Sequence, residues 1–426
     1  MIIMNTFLQL FRVKEIRNKI LIVAGLLIAF RLLAAIPIPG IDPERLRGLL
    51  SENQLLGFVN LFSGGSLSNL SLMMLGVGPY ITATIIMQLL TMMSDRMKQL
   101  YYEEGAMGRA KFNQWSRYLT VPLALLQGYG FLNLLIRQGA LEPLATFPLL
   151  VNLLVITAGS LILMWLGELI SEQKIGNGVS LIIFAGIVSR LPQIIQNLYL
   201  SYSDELLTTY IMFAILAVLV IAGVVFISEG ERKVPVTYAK RVRGNKMYGG
   251  VTSYLPLKVN QAGVIPIIFA ISILLFPQLI AQIISVVSVN ASVALQNWVN
   301  VLMNNQGLYA ALYFALVALF TYFYTAITFN PDEIAKNLQQ SGGFVPGIRP
   351  GEPTTQYLKS TSGRITFFGA IFLGIVAILP NVVQMFCGVR TFTIGGTALL
   401  IVVSVALEIA RQVNSQLTVR EYEGIQ

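Results

Sequence analysis

The chain has 426 residues, of which 55 % are hydrophobic and only 12 % charged, with a net charge of +9 and no histidine. A soluble protein carries about twice that charged fraction, so the composition excludes a soluble globular fold. The missing imidazoles exclude His-metal sites, imidazole general bases and Ser–His triads, and a single cysteine, Cys387, excludes an intrachain disulfide.

Residues 1–19 are polar and basic and run into an apolar span with no small-residue cleavage site, the pattern of a retained first helix. Windows of about 19 residues place spans near 20–36, 73–93, 118–136, 149–168 and 176–198, then near 208–228, 262–284, 307–329, 365–387 and 392–410. Arg190 and Pro192 shorten the fifth. The expected fold class is an all-α polytopic membrane protein with ten transmembrane helices.

The stretch 60–93 departs from an ordinary span. Gly64-Gly65 and Gly76-Val77-Gly78-Pro79 interrupt it, and Ser63, Ser66, Ser68, Asn69 and Ser71 make its first part polar. Broken backbone at membrane depth is tolerated only where protein covers it or water reaches it. Two readings follow: a short half-helix facing a cavity, or an outer loop leading into a kinked helix.

Lysine and arginine fix the expected orientation. One side collects Arg12, Lys14, Arg17 and Lys19, then Arg96, Lys98, Arg109, Lys111 and Arg117. The same side holds seven basic residues between Arg232 and Lys258, and Lys336, Arg349, Lys359 and Arg364. Only Arg45, Arg47, Arg137, Arg190 and Arg390 fall on the other, and the connection 285–306 is uncharged. The positive-inside rule then predicts cytoplasmic termini, with long cytoplasmic loops 230–262 and 330–364.

Ten spans divide into halves of opposite orientation. Gly76-Val77-Gly78-Pro79-Tyr80-Ile81 in the second span is answered by Gly263-Val264-Ile265-Pro266-Ile267-Ile268 in the seventh. Paired interruptions at matching places of inverted repeats point to a central pathway. Against that, prolines are common in membrane helices, and Pro122, Pro192, Pro277 and Pro380 occur here too.

No nucleotide-binding loop occurs, and the glycine-rich run 341–347 lacks a strand–helix setting. An enzyme is not expected, and no metal or cofactor is called for. The alternative class is a secondary transporter of a small solute. Such proteins place ionisable groups near the midplane, where a charge costs about 2.5–3.5 kcal/mol on insertion scales. Spans two, three, six, seven, eight and nine hold none. An aliphatic waist suits a closed conduit that excludes ions by dewetting.

Several ordered motifs carry a resemblance from about residue 19 to 412. They are Ile36-Pro37-Ile38-Pro39-Gly40, Asn60-Leu61-Phe62-Ser63-Gly64-Gly65, Gly76 through Ile81, Leu166-Gly167-Glu168 and Ile175-Gly176-Asn177-Gly178. Further on come Leu255-Pro256-Leu257-Lys258-Val259-Asn260, Phe329-Asn330-Pro331 and Phe344 through Gly351. The chain resembles the SecY/Sec61-alpha family of protein-conducting channels in its bacterial form.

The resemblance implies a clamshell of two inverted five-helix halves, 1–200 and 201–412, with a cytoplasmic tail at 413–426. It implies a channel of the general secretory pathway that translocates unfolded preproteins and releases transmembrane segments sideways into lipid. Residues 61–72 match the re-entrant plug half-helix, within them Phe62, Ser63, Gly64, Gly65, Ser66, Leu67, Ser68, Asn69 and Leu70. Val77, Ile81, Val179, Ile183, Ile268 and Ile401 match the pore ring. Thr82, Gln88 and Phe276 match the lateral gate.

The basic loops resemble docking sites for the ribosome and the SecA motor, with Arg241, Arg243, Lys246 and Arg349 as the candidates. At the tip Gly244-Asn245-Lys246 departs from the adjacent basic residues often found there. The implied partners are SecE, SecG, SecA, the ribosome and signal-bearing preproteins, with no nucleic-acid role beyond ribosome docking. The implied location is the bacterial inner membrane.

Overall fold

Apolar runs in hydrocarbon must close their own backbone hydrogen bonds, and helices do this within one segment. The computed structural model describes residues 13–38, 63, 65–102, 104–137, 141, 143–200, 207–238, 241–243, 246–248, 252–287, 289–387 and 395–423. Most of these residues are helical. Among them, six helical stretches are long and apolar enough to cross a membrane: Gly105–Ile136, Thr146–Glu172, Tyr210–Glu229, Gln306–Gln340, Glu352–Leu379 and Ala398–Thr418. They carry the third, fourth, sixth, eighth, ninth and tenth expected spans. The fifth and seventh fall on the shorter apolar stretches Gly178–Gln193 and Ile265–Leu274.

The chain divides into two compact units. The first comprises Met1–Tyr210, Ile271–Asn305 and Val405–Gln426, and the second Ile211–Ala270 and Gln306–Ser404.

In the first unit, α1 (Lys14–Leu33), α2 (Gly78–Met93), α3 (Asp95–Tyr102), α4 (Gly105–Arg137), α5 (Thr146–Glu172), α6 (Gly178–Val188) and α7 (Leu191–Leu200) follow one another. Helix α4 packs on α2 and α5, and α6 returns along α5. The return is built by residues 175–178. Asn177 caps α6, its Oδ1 accepting from the N–H groups of Val179 at 3.1 Å and Ser180 at 3.2 Å. Gly178 donates its N–H to Ser171 Oγ at 2.9 Å, and a Cβ on Gly178 would overlap the carbonyl oxygen of Gly167. Glycine therefore lets the two helix backbones touch. One turn away, Arg117 of α4 pairs with Glu168 of α5 at 2.6 Å.

The second unit contains most of α8 (Leu207–Glu229) and the strands β1 (Glu231–Tyr238), β2 (Arg241–Arg243), β3 (Lys246–Tyr248) and β4 (Thr252–Lys258). Helix α9 (Ile265–Val287) begins in this unit, and α10 (Val289–Asn304) belongs to the first. Then follow α11 (Gln306–Thr328), α12 (Pro331–Gln340), β5 (Gly343–Phe344), α13 (Glu352–Cys387) and the start of α14 (Gly395–Glu423). Helices α11 and α13 pack closely, a Cβ on Gly374 falling 2.5 Å from the Phe314 ring.

The strands correct the all-α expectation: the chain is mostly, not wholly, helical. Strand β1 pairs antiparallel with β4 from Glu231↔Lys258 to Thr237↔Thr252, and β5 joins its other edge through Thr237↔Phe344. Strands β2 and β3 form a separate hairpin. The cause is a period-two pattern. Val234 and Val236 turn inward between exposed neighbours, as Leu257 does on β4. Val234, Leu257, Val345 and Leu358 form one core, with Phe329, Ile334 and Ile348 packed around it. Strands β1, β4 and β5 and the turn at 345–351 are thus one folded layer joined to the base of α13.

Leu358 has no exposed surface, so Leu358→Ala should destabilise this layer by about 2–5 kcal/mol. Limited proteolysis should then cut near 239–251 faster than in the parent while the helical remainder stays intact. Cleavage at the parent rate would mean that the core does not hold the layer.

Candidate functional site

The interrupted segment opens on Gly65, whose φ of +87° suits glycine. One 3-10 turn, Ser66–Asn69, follows and ends on Leu70 at φ +43°. The expected half-helix is therefore a single turn in its described part. Phe62 and Gly64 lie outside the described residues, as do Asn60 and Leu61. The serines do not simply line a cavity. Ser63 Oγ accepts from the Leu67 N–H at 3.1 Å, and Ser71 Oγ donates to the Ser66 carbonyl at 3.2 Å. Ser63, Ser66 and Ser71 are buried, so short polar side chains close the bonds that the broken backbone leaves open.

The segment is seated from three sides. The Ile38 N–H donates to the Leu70 carbonyl at 2.8 Å, and the Leu72 N–H donates to the Ile36 carbonyl at 3.1 Å. Pro37 stands between them opposite Ser71, where the missing N–H costs nothing. Leu67, Leu70 and Met74 bury against Phe131, Leu132 and Leu135 of α4 and Ile156 of α5. On α5, a Cβ on Gly159 would overlap the Leu72 carbonyl oxygen. Finally, Arg190, just beyond α6, donates from Nη2 to the Gly65 carbonyl at 3.1 Å.

Gly76, at φ +59°, turns the chain into α2, and Val77 precedes the helix. Gly263, at φ +62°, and Val264 precede α9 in the same way. Proline is the second residue of both helices. The N–H of Ile81 bonds to the Val77 carbonyl at 3.0 Å, and that of Ile268 to the Val264 carbonyl at 3.3 Å. The paired interruptions noticed in the sequence are thus one local backbone geometry used twice, with Ile81 and Ile268 as equivalent fourth residues.

Val77, Ile81, Ile183, Ile268 and Ile401 are buried, and Val179 is half-buried. Val77 and Ile81 share one face of α2's entry, and Val179 and Ile183 one face of α6, being four residues apart. These four belong to the first unit, Ile268 and Ile401 to the second. Thr82 donates its hydroxyl to the Gly78 carbonyl at 3.0 Å and accepts from Gln127 Nε2 of α4 at 3.4 Å. Gln88 Oε1 is buried with no hydrogen-bond partner among the described residues. Phe276 is 40 % exposed beside Pro277 of α9.

Of the basic candidates, Arg241 and Arg243 lie on β2 and Lys246 on β3, with Arg243 opposite Lys246. Arg349 is exposed on a turn that Val345 and Ile348 anchor in the core. Gly347 at φ +82° and Gly351 at φ +95° shape the turn, and Thr354 Oγ1 donates to the Arg349 carbonyl at 2.8 Å. Asn330 caps α12 ahead of Pro331. Sequence reasoning passed over Arg190 and Gly159 as contacts of the segment. The only sequence signal for Arg190 was a charge inside an otherwise apolar run.

Comparisons with known proteins agree with this architecture. The SecY family model matches residues 71–410. The protein translocase subunit SecY of Mycobacterium bovis is 42 % identical over 444 residues, covering 99 % of each chain. That of Corynebacterium glutamicum is 42 % identical over 447 residues, covering 99 % of this chain and 100 % of the relative. A solved protein-conducting channel has the same fold with a TM-score of 0.64 at 20 % identity, covering 92 % of this chain and 91 % of its own. Sec61 in the canine ribosome-channel complex of the endoplasmic reticulum follows at 0.56 and 19 %, with the same coverage. On its full-length identity to these relatives and its match to the family model, the chain belongs to the SecY family.

Proposed function

We propose that this multi-pass membrane protein is the protein-conducting channel subunit of a bacterial secretory translocase. It passes unfolded, signal-bearing preproteins across the cell membrane and lets apolar segments leave into lipid. The observation that carries the reading is the buried, interrupted segment ahead of α2, in a chain 42 % identical to translocase subunits over its length. The secondary-transporter alternative finds no support in the comparisons.

Within this reading the chain has ten transmembrane helices in two inverted halves, 1–200 and 201–412, with both termini cytoplasmic. The repeated Gly–Val entry into α2 and α9 supports the repeat. Residues 61–72 act as the plug, and Val77, Ile81, Val179, Ile183, Ile268 and Ile401 as the constriction. Branched aliphatics offer water and ions no hydrogen bonds, so a narrow ring of them dewets. They also yield around side chains of any chemistry, as an unfolded polypeptide requires. Thr82, Gln88 and Phe276 line the lateral gate. Each Leu or Ile of a segment leaving through it gains about 0.3–0.6 kcal/mol.

The folded basic layer is the platform for the SecA motor and the ribosome, and SecE and SecG are the further subunits. Arg241, Arg243, Lys246 and Arg349 supply its contacts. A rigid platform suits docking because the loops need not be ordered at the moment of binding.

Replacing Ile81, Ile183 and Ile268 together by Ser should hydrate the constriction and raise resting ion conductance in planar bilayers several-fold. Parent-level conductance in the triple variant would remove the ring from the pathway.

For the gate, a Cys387→Ser chain carrying Thr82→Cys and Phe276→Cys should form a disulfide under mild oxidation, which requires Cα atoms closer than about 7 Å. Secretion should stop with the lock and return on reduction. Normal secretion through the locked chain would overturn the lateral opening.

At the platform, Arg349→Glu should reduce motor-driven secretion at least tenfold at normal protein levels, since one exposed loop charge contributes little to stability. Undiminished secretion would exclude Arg349 from docking.

A further inference from the structure

We infer that Arg190 is a latch that sets how readily the interrupted segment leaves its seat; the functional part of this rests on the plug reading above. Three observations meet at this residue. A guanidinium in a largely apolar run is costly unless its donors are used, and Arg190 Nη2 donates to the Gly65 carbonyl at 3.1 Å. The carbonyl belongs to the residue that begins the 3-10 turn, so the bond holds the segment at the point where its path is decided. Gly65 in turn permits the approach: its φ is +87°, and a Cβ there would lie 2.5 Å from Arg190 Nε.

The other contacts of the segment differ in kind. Leu67 and Leu70 are held by apolar packing, and residues 36–38 and 70–72 by neutral backbone bonds. A charge-assisted bond is directional, and it is lost outright once the segment moves by a few ångströms. Arg190 thus adds to the seat a contact that must break before the turn can leave. It acts on the segment's position, not on a passing chain.

Ser66 is a suitable reporter, since it is 1 % exposed and its hydroxyl has no hydrogen-bond partner among the described residues. In a Cys387→Ser, Ser66→Cys chain reconstituted with its partner subunits, labelling by a membrane-impermeant maleimide measures how often the turn opens. Arg190→Gln should raise the labelling rate by about tenfold to a hundredfold, the range for loss of a bond to a charged group. Arg190→Lys, which keeps a charged donor, should fall between the two. Gly65→Ala should raise the rate with Arg190 intact, which covers the case in which Arg190→Gln fails to accumulate.

Labelling at the parent rate in both Arg190→Gln and Gly65→Ala would overturn the latch. Bilayer conductance separates the latch from the plug reading. Faster labelling with unchanged resting conductance would uphold the latch and reject the plug. Deletion of 63–72 that raises conductance, with labelling unaltered in the point variants, would uphold the plug and overturn the latch.

Discussion

Everything in the first unit depends on one constraint, that no backbone polar group goes unpaired away from water. Helices meet it without help. Residues 63–77 cannot, because Gly65, Leu70 and Gly76 take positive φ and break the helical ladder, and they meet it piecemeal. Serine hydroxyls close three of the gaps, the extended residues 36–38 close two more, and Arg190 takes the Gly65 carbonyl. A segment paired by such diverse and separable contacts can be held firmly and still be released, which a continuous helix cannot. That is the physical case for reading it as the movable element of a channel.

The glycines contribute by allowing contact rather than by loosening the chain. Gly159 admits the Leu72 carbonyl, Gly178 admits the Gly167 carbonyl, and Gly369 stands against Val259 with room for no Cβ. In lipid, helices gain little from the hydrophobic effect between them, so close backbone approach supplies much of the packing energy. The motif at 175–178 is the clearest instance. Asn177 starts α6, Gly178 fits it to α5, and together they bring Val179 and Ile183 back along the unit.

The basic connections show the same economy. Their charge alone would satisfy topology, and charge alone needs no fold. Yet strands β1, β4 and β5 and the turn at 345–351 share a core with Leu358 at the foot of α13. Arg349 is therefore presented from a fixed turn, exposed on a platform continuous with a helix that enters the membrane. A platform fixed to a membrane helix in this way can pass force to that helix, whereas a flexible loop would absorb it.

The sequence by itself determined the class, the span order and the local entries into helices. Long uncharged runs leave the backbone no choice but helix, and glycine with proline at 76–79 and 263–266 dictates the turn that the structure repeats in both places. It also held the signal for the strands, in the alternation around Val234 and Val236, which a search for 19-residue windows passes over because it looks for length and hydropathy, not period two. The tertiary structure alone decided the partners. Nothing local distinguishes Leu67, buried against α4, from a lipid-facing leucine, since both environments are equally apolar. Nothing local brings Arg190 to Gly65, 125 residues away, or assigns Gly159 to Leu72. Those pairings come from how α4, α5 and α6 stack, and stacking is a property of whole helix faces that no short motif encodes.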